Sequence, residues 1–291
     1  MRIPVCVLGG MNMDITGTPA APLLPGDSNP GSVRMSAGGV GRNIAENLAR
    51  LGFSVELMAP VGNDGFASIL QQDCAEAGIG LRYAFRLEGA SSIYFCLMDG
   101  RGDMAAAIND MSLCDALTPQ MLDMPAINSF AGAALDANLP EPVLKKLGQE
   151  AAIPLIGDPV SVAKARRFLS LLPRLAAIKP NRLEAAVLTG LEDPSLAARA
   201  LVKMGVGQAF VSAGPEGLFF CGQGKEGHLP APALRPRNAT GAGDSATAAI
   251  VAGLLLGKPI QETARLACRI SACTLRCPGA VNPDLSPSLL D

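Results

Sequence analysis

Short β-branched or apolar runs alternate along the chain with stretches of helical periodicity. Ile3–Leu8, Val55–Pro60, Ala131–Leu135, Pro154–Gly157, Ala176–Ile178 and Ala209–Ser212 read as strands. Over Val40–Leu51 the residues Ile44, Leu48 and Leu51 recur at helical spacing, with Arg42, Glu46 and Arg50 on another face, which predicts an amphipathic helix lying on a sheet. Strand and helix in alternation predict βαβ units and a mostly parallel sheet, hence an α/β fold. Two regions break the alternation. Gly17–Arg34 is rich in Pro, Gly and Ser, and Ser91–Ile108 reads as two strands joined by Gly100-Arg101-Gly102. These segments, about 15–35 and 91–110, read as a peripheral β lid inserted in one domain spanning 1–291, since no repeat or interdomain linker interrupts the chain.

Composition narrows the partners. With 49% apolar and 17% charged residues among 291, the chain can bury a sizeable core and is not expected to be disordered. A net charge of -2, without a basic run longer than a pair, leaves no electrostatic footprint for nucleic acid. The longest uncharged stretch, Ser245–Gly257, is shorter than the ~17 residues of the shortest spanning helix, so no membrane segment is expected. The N-terminal apolar run meets Asp14 too early for a signal peptide and reads as a first strand. Eight scattered cysteines are then expected to be reduced thiols in a cytoplasmic protein. The one histidine, His228, excludes multi-histidine zinc sites, and its turn-like context, KEGHLPAP, predicts a solvated loop residue. Cys268, Cys273 and Cys277 lack the paired spacing of zinc or redox sites.

The most informative segment is Asn238-Ala239-Thr240-Gly241-Ala242-Gly243-Asp244, followed by a helix of small residues. Glycines at a helix start expose backbone N–H groups, and the helix dipole favours an anion there, with phosphate the obvious guest. Asp244 is placed either to cap that helix or to take a proton from a hydroxyl attacking a phosphoryl group. Two familiar phosphate motifs fail. Gly253-x3-Gly257-Lys258-Pro259 is one residue short of a Walker A loop and has Pro where Ser or Thr belongs. Gly9-Gly10-Met11-Asn12 lacks the dinucleotide fingerprint. A second glycine cluster, Ala37-Gly38-Gly39-Val40-Gly41-Arg42-Asn43, opens the amphipathic helix.

The two glycine-rich helix starts together resemble the two signatures of the ribokinase-like (PfkB) sugar kinase family. Asn12-x-Asp14, Asn181-x-x-Glu184 and Ser212-Ala213-Gly214-x-x-Gly217 are similar to further motifs of that family, in the same order. Within it, Asp27–Gly31, Ala107–Met111, Asp158–Ser161 and Asn282–Leu285 look like segments of bacterial pseudouridine kinases. The resemblance implies a three-layer α/β/α domain with a mostly parallel central sheet and a small β-sheet lid. It implies ATP as phosphate donor, Mg²⁺, and phosphorylation of pseudouridine at the ribose 5'-hydroxyl. A kinase for another nucleoside or a free sugar, and a catalytically silent sensor, stay open beside it.

By the same resemblance Asp244 is the catalytic base, and the amides of Gly241, Ala242 and Gly243 form the anion hole. Asn12, Asp14, Gly39 and Asn43 are expected at the ribose, and Ser28, Asn29, Asn109 and Asp110 of the lid at the base. Asp136 and Asn138, at a strand end, are candidates to face the same pocket. ATP is expected against Asn181, Ser212, Gly214, Gly217, Thr240 and Gly243, with Mg²⁺ held through water by Asn181 and Glu184. Asn238 stands where many members carry an Asp, which leaves K⁺ activation open. A homodimer through the lid sheet is expected from the family and from the apolar faces of that sheet.

Overall fold

The computed structural model describes residues 2–101, 103–234 and 236–291. Gly102, in the predicted turn between the two lid strands, lies outside the described residues. Among the described residues the main sheet has nine strands, in the order β15-β14-β13-β12-β11-β10-β1-β4-β6. These are β1 (Pro4–Leu8), β4 (Ser54–Met58), β6 (Ile79–Gly80), β10 (Ala133–Asp136), β11 (Leu155–Asp158), β12 (Leu175–Ile178), β13 (Gln208–Ser212), β14 (Leu218–Gly222) and β15 (Lys225–Leu229). From β6 to β13 all pairings are parallel, and β14 and β15 add an antiparallel hairpin at one edge.

Helices cover both faces: α1 (Val40–Arg50), α2 (Gly65–Glu76), α3 (Ser112–Asp115), α4 (Met124–Ile127), α5 (Glu141–Glu150), α6 (Arg182–Thr189), α7 (Pro194–Lys203), α8 (Ala242–Leu255) and α9 (Ile260–Leu275). The alternation of β1 explains the layering. Val5 and Val7 join one core with α1, α8 and α9, while Cys6 and Leu8 join a second with α5, α6 and α7. Both faces of the central strands are therefore buried, as a parallel sheet requires.

A separate four-stranded sheet, in the order β3-β2-β8-β9, contains β2 (Asn12–Pro19), β3 (Gly31–Gly38), β8 (Ile93–Met98) and β9 (Met104–Asp110). Its strands come from the two segments that break the alternation. Met35, Ile15, Phe95 and Ile108 form one row across it, and Met35 and Ile108 are exposed.

The predicted strand Val55–Pro60 divides into β4 and a two-residue β5 (Pro60–Val61), which pairs with β7 (Phe85–Arg86). Proline lacks the N–H that would continue the ladder. His228 is a correction: it lies in β15, not a loop, where its ring stacks on Phe219 at 4.2 Å and Nε2 meets the Glu216 carbonyl at 2.5 Å. A turn-rich sequence flank concealed an exposed edge strand. No helix among the described residues is long and apolar enough to cross a membrane.

Candidate active site

The parallel strands end together on one side of the sheet, where α/β folds gather their ligands. Asp136 ends β10, Asp158 ends β11, and Lys179 follows β12 directly. The two glycine-rich turns open α1 and α8 beside them. At Gly241, φ is 79°, and a side chain there would overlap the Ala280 carbonyl oxygen, so the turn admits glycine only. Gly39 has φ 99° and faces the Gly10 carbonyl in the same way. The first intrahelical bond of α8 runs from Ser245 N–H to the Gly241 carbonyl at 2.9 Å, so the amides of Gly243 and Asp244 precede the helical ladder. A Cβ on Gly243 would lie 3.4 Å from Lys179 Nζ, which places an ammonium beneath this turn.

Asp244 does not cap its helix: α8 has no side-chain cap, and Asp244 Oδ2 accepts a 2.8 Å hydrogen bond from Asn43 Nδ2 of α1. Burial pushes its carboxyl up to about 7, helped by the charge of Asp158; Asn43 and Lys179 work the other way. Asp158 itself is buried, 3.4 Å from Lys179 Nζ, and accepts from Thr247 Oγ1 at 2.5 Å. Burial would depress the Lys179 ammonium, yet the carboxylates of Asp158, Glu184 and Asp244 together hold it above its ordinary value. The floor of the site therefore carries a buried ammonium and a carboxyl whose protonated form burial favours.

On the side of α1, Asn12 Nδ2 donates to Asp14 Oδ1 at 2.5 Å. Burial raises the Asp14 carboxyl, opposed by Asn12 and Arg42. Arg42, buried between Glu46 at 2.6 Å and Asp73 at 2.5 Å, also donates from Nη1 to Asn43 Oδ1 at 3.2 Å. A guanidinium has donors only, so this bond turns the donor end of the Asn43 amide toward Asp244. Asp136, fully buried, accepts from Gly10 N–H and Asn138 N–H at 2.8 Å each, and burial lifts its carboxyl to about 6. It shapes the turn after β1.

The lid residues stand apart. Ser28 and Asn29 lie in the exposed turn between β2 and β3, where the Asn29 side chain bonds to Leu24 and Asp27 of the same turn. Asn109 pairs with Tyr94 across β9 and β8, and Asp110 accepts from Ser112 N–H at 3.0 Å. Among the described residues none of the four shares a hydrogen bond with the Asp14, Asn43 and Asp244 group.

Beyond the α8 turn opens a cavity of about 580 Å³, lined by Ser212, Gly214, Gly217, Gly243, Ala246 and Cys268 among others. Its size and apolar walls suit a nucleoside. Thr240 is outside the lining; its N–H donates to Asn238 Oδ1 at 2.9 Å, while Asn238 Nδ2 donates to the Pro278 carbonyl at 3.0 Å. Asn181 is the N-cap of α6 in a reciprocal capping box with Glu184, and its Nδ2 also donates to Glu184 Oε1 at 2.8 Å. Glu184 is buried, 3% exposed, and not a surface residue. Each of its oxygens accepts one hydrogen bond from Asn181 and keeps a second lone pair, which suits acceptance from the water shell of a hydrated Mg²⁺.

Sequence reasoning missed Asp158, Lys179 and Thr247 as site residues. The signal for Lys179 was present: a cation closing the apolar run LAAI at the carboxyl end of a predicted parallel strand.

The chain matches the model of the pfkB family carbohydrate kinases over residues 3–287. It is 34% identical to the pseudouridine kinase of Escherichia coli over 97% of this chain and 93% of that one. It is 27% identical to the guanosine-inosine kinase of Exiguobacterium acetylicum over 99% and 98%. The solved structure of a carbohydrate kinase from Agrobacterium tumefaciens superposes with a TM-score of 0.88 at 31% identity, covering 100% of this chain and 96% of that one. Membership brings a phosphotransferase activity with an alcohol acceptor and ATP as donor, which the glycine turn, the buried cation and the proton acceptor match in chemistry. The chain belongs to the PfkB family of carbohydrate kinases.

Proposed function

We propose that the protein phosphorylates pseudouridine at the ribose 5'-hydroxyl, giving pseudouridine 5'-phosphate and ADP. The observation that carries the chemistry is the Asn43–Asp244 hydrogen bond beside Lys179 and the Gly241–Gly243 turn. The hydroxyl proton passes to the Asp244 carboxylate as the oxygen bonds to the γ-phosphorus, and the bond to the bridging oxygen of ADP breaks. The amides of the turn and the Lys179 ammonium stabilise the charge on the transferring group; positioning and electrostatics of this kind carry most phosphoryl transfers. Asn181 and Glu184 would hold Mg²⁺ through water, and the ion would supply further positive charge at the phosphates. The base of ATP occupies the 580 Å³ cavity.

Similarity to pseudouridine kinase over nearly the whole chain supports the substrate. Similarity to a guanosine-inosine kinase makes a purine nucleoside the second reading. A second copy covers the exposed Met35 and Ile108 row of the lid sheet. Sedimentation as a monomer at micromolar concentration contradicts the dimer.

The deciding experiment is ATP turnover with Mg²⁺ on pseudouridine, uridine, inosine, guanosine and ribose, beside Asp244→Asn. Pseudouridine is expected to be strongly preferred. Preference for inosine or guanosine establishes the purine reading, and no turnover of any acceptor refutes both.

A further inference from the structure

Arg42, Glu46 and Arg50 recur every fourth residue on α1, the spacing of a solvated charged stripe, yet the fold buries the first two, which are 6% and 5% exposed. Each oxygen of Glu46 meets a different guanidinium. Oε2 lies 2.6 Å from Arg42 Nη2, while Oε1 lies 2.6 Å from Arg50 Nη2 and accepts from Arg50 Nε at 2.8 Å. Charges this deep are costly to desolvate, and apolar residues of similar volume often serve stability as well or better. A buried carboxylate between two guanidiniums therefore calls for a reason besides stability.

The two oxygens lead to different places. Through Oε1, Arg50 is held so that its Nη1 donates to the Pro283 carbonyl at 2.9 Å, which fastens the segment after α9 to α1. Through Oε2, Arg42 is held so that its Nη1 donates to Asn43 Oδ1 at 3.2 Å, and the other end of that amide donates to Asp244. Arg42 has a further anchor in Asp73 of α2, which accepts from Nε at 3.1 Å and lies 2.5 Å from Nη2, but that side chain is 37% exposed. Asp73 draws the guanidinium toward solvent on the α2 side, and Glu46 is the buried group that opposes it.

We propose that Glu46 is a positioning residue for phosphoryl transfer: through Arg42 it keeps the oxygen of the Asn43 amide occupied and its NH₂ group on Asp244. This rests on the reading of Asp244 as the proton acceptor. Glu46 acts through Arg42 and Asn43, since its own hydrogen bonds and ion pairs go to Arg42 and Arg50. Without it Arg42 turns toward Asp73, and the freed amide no longer keeps its donor on the carboxylate.

The test uses the sign of one shift. In Glu46→Gln, loss of a nearby negative charge lowers the midpoint of the Asp244 carboxyl, whereas loss of the Asn43 hydrogen bond raises it. Asp158, Lys179 and Asp136, which also act on that carboxyl, stay in place. The midpoint is read in the ligand-free protein by carbon-13 NMR titration of carboxyl-labelled aspartates, assigned with Asp244→Asn, beside the acid limb of kcat/KM with pseudouridine and ATP. Glu46→Gln is expected to raise the midpoint by about half a pH unit and to lower kcat about fivefold at neutral pH. In the Asn43→Ala background the same substitution is expected to produce no rise. Arg50→Met, which breaks the Pro283 arm alone, is expected to lower the melting temperature and leave midpoint and kcat unchanged. Should Glu46→Gln fail to fold, Glu46→Gln/Arg50→Met removes one charge of each sign and carries the same test. A lowered or unchanged midpoint overturns the proposal, and so does an equal rise in the Asn43→Ala background. A raised midpoint with an unmoved acid limb upholds the hold of Glu46 on Asn43 and refutes Asp244 as proton acceptor. The titration needs no turnover, so the two failures are told apart.

Discussion

Asn43 and Asp244 stand 201 positions apart in sequence and meet through a 2.8 Å hydrogen bond from Nδ2 to Oδ2. Arg42 fixes the direction of that amide from its other end. The Asp244 carboxylate is thus held by a helix different from its own, and the two glycine-rich helix starts meet. Asn43 lowers the Asp244 carboxyl against the burial that raises it. Asn43→Ala is therefore expected to move the acid limb of the kcat/KM profile above its wild-type position near pH 7, and to lower activity about tenfold at neutral pH. An unchanged acid limb would show that Asn43 has no hold on the carboxylate.

Asp244→Asn removes the acceptor, and a loss of roughly 10²- to 10⁴-fold in kcat is expected for a general base. The same substitution reports on stability. Because burial raises this carboxyl from 3.8 to about 7 in the folded protein, its contribution to stability is complete below pH 3.8 and lost as pH rises through 7. The variant, which cannot ionise there, is expected to melt at higher temperature than wild type at pH 8, with the gap closing toward pH 4. Thermal melts across that range check the sign.

Lys179 neutralises Asp158 across 3.4 Å in a place where neither side chain is more than 5% exposed. Lys179→Met leaves that carboxylate buried without its cation, and about 3–5 kcal/mol of stability is expected to go with it. Asp244 loses a positive neighbour at the same time, so the acid limb again moves upward. Lys179→Met/Asp158→Asn is expected to recover most of the stability and little of the activity, since the ammonium under the Gly243 turn stays missing. Denaturant melts and steady-state kinetics on the two variants separate these effects.

Asn238 closes its loop with both ends of its amide, donating to the Pro278 carbonyl and accepting from Thr240. Asn238→Asp keeps the acceptor, removes the donor and adds a charge, so two oxygens face each other where a donor and an acceptor were paired. A monovalent cation is the natural neutraliser. The variant is expected to respond to K⁺ more steeply than wild type when rates are compared in potassium and choline salts.

The sequence by itself determined the elements and the local turns. Alternating apolar runs and helical periodicity suffice for a covered parallel sheet, because burial of both faces is written into each short segment. Gly241 was legible for a related reason: a left-handed turn at a helix start is a local demand, and only glycine meets it there. The small sheet was legible as two segments that break the alternation, though its strands extend beyond the predicted segments.

Only the tertiary structure decided which side chains face each other. Asp244 was readable from its own segment as a cap or a base, and the fold removes the cap, because Asn43 of α1 captures the carboxylate. Glu184 lies inside and not on the surface, Lys179 serves Asp158, and Lys164 reaches Asn138. His228 belongs to an edge strand that its turn-rich flank hides. These pairings join residues from different strand ends, and the parallel crossovers that bring the ends together are long-range. No periodicity within one segment carries them, whereas one hydrogen bond between two helix starts does.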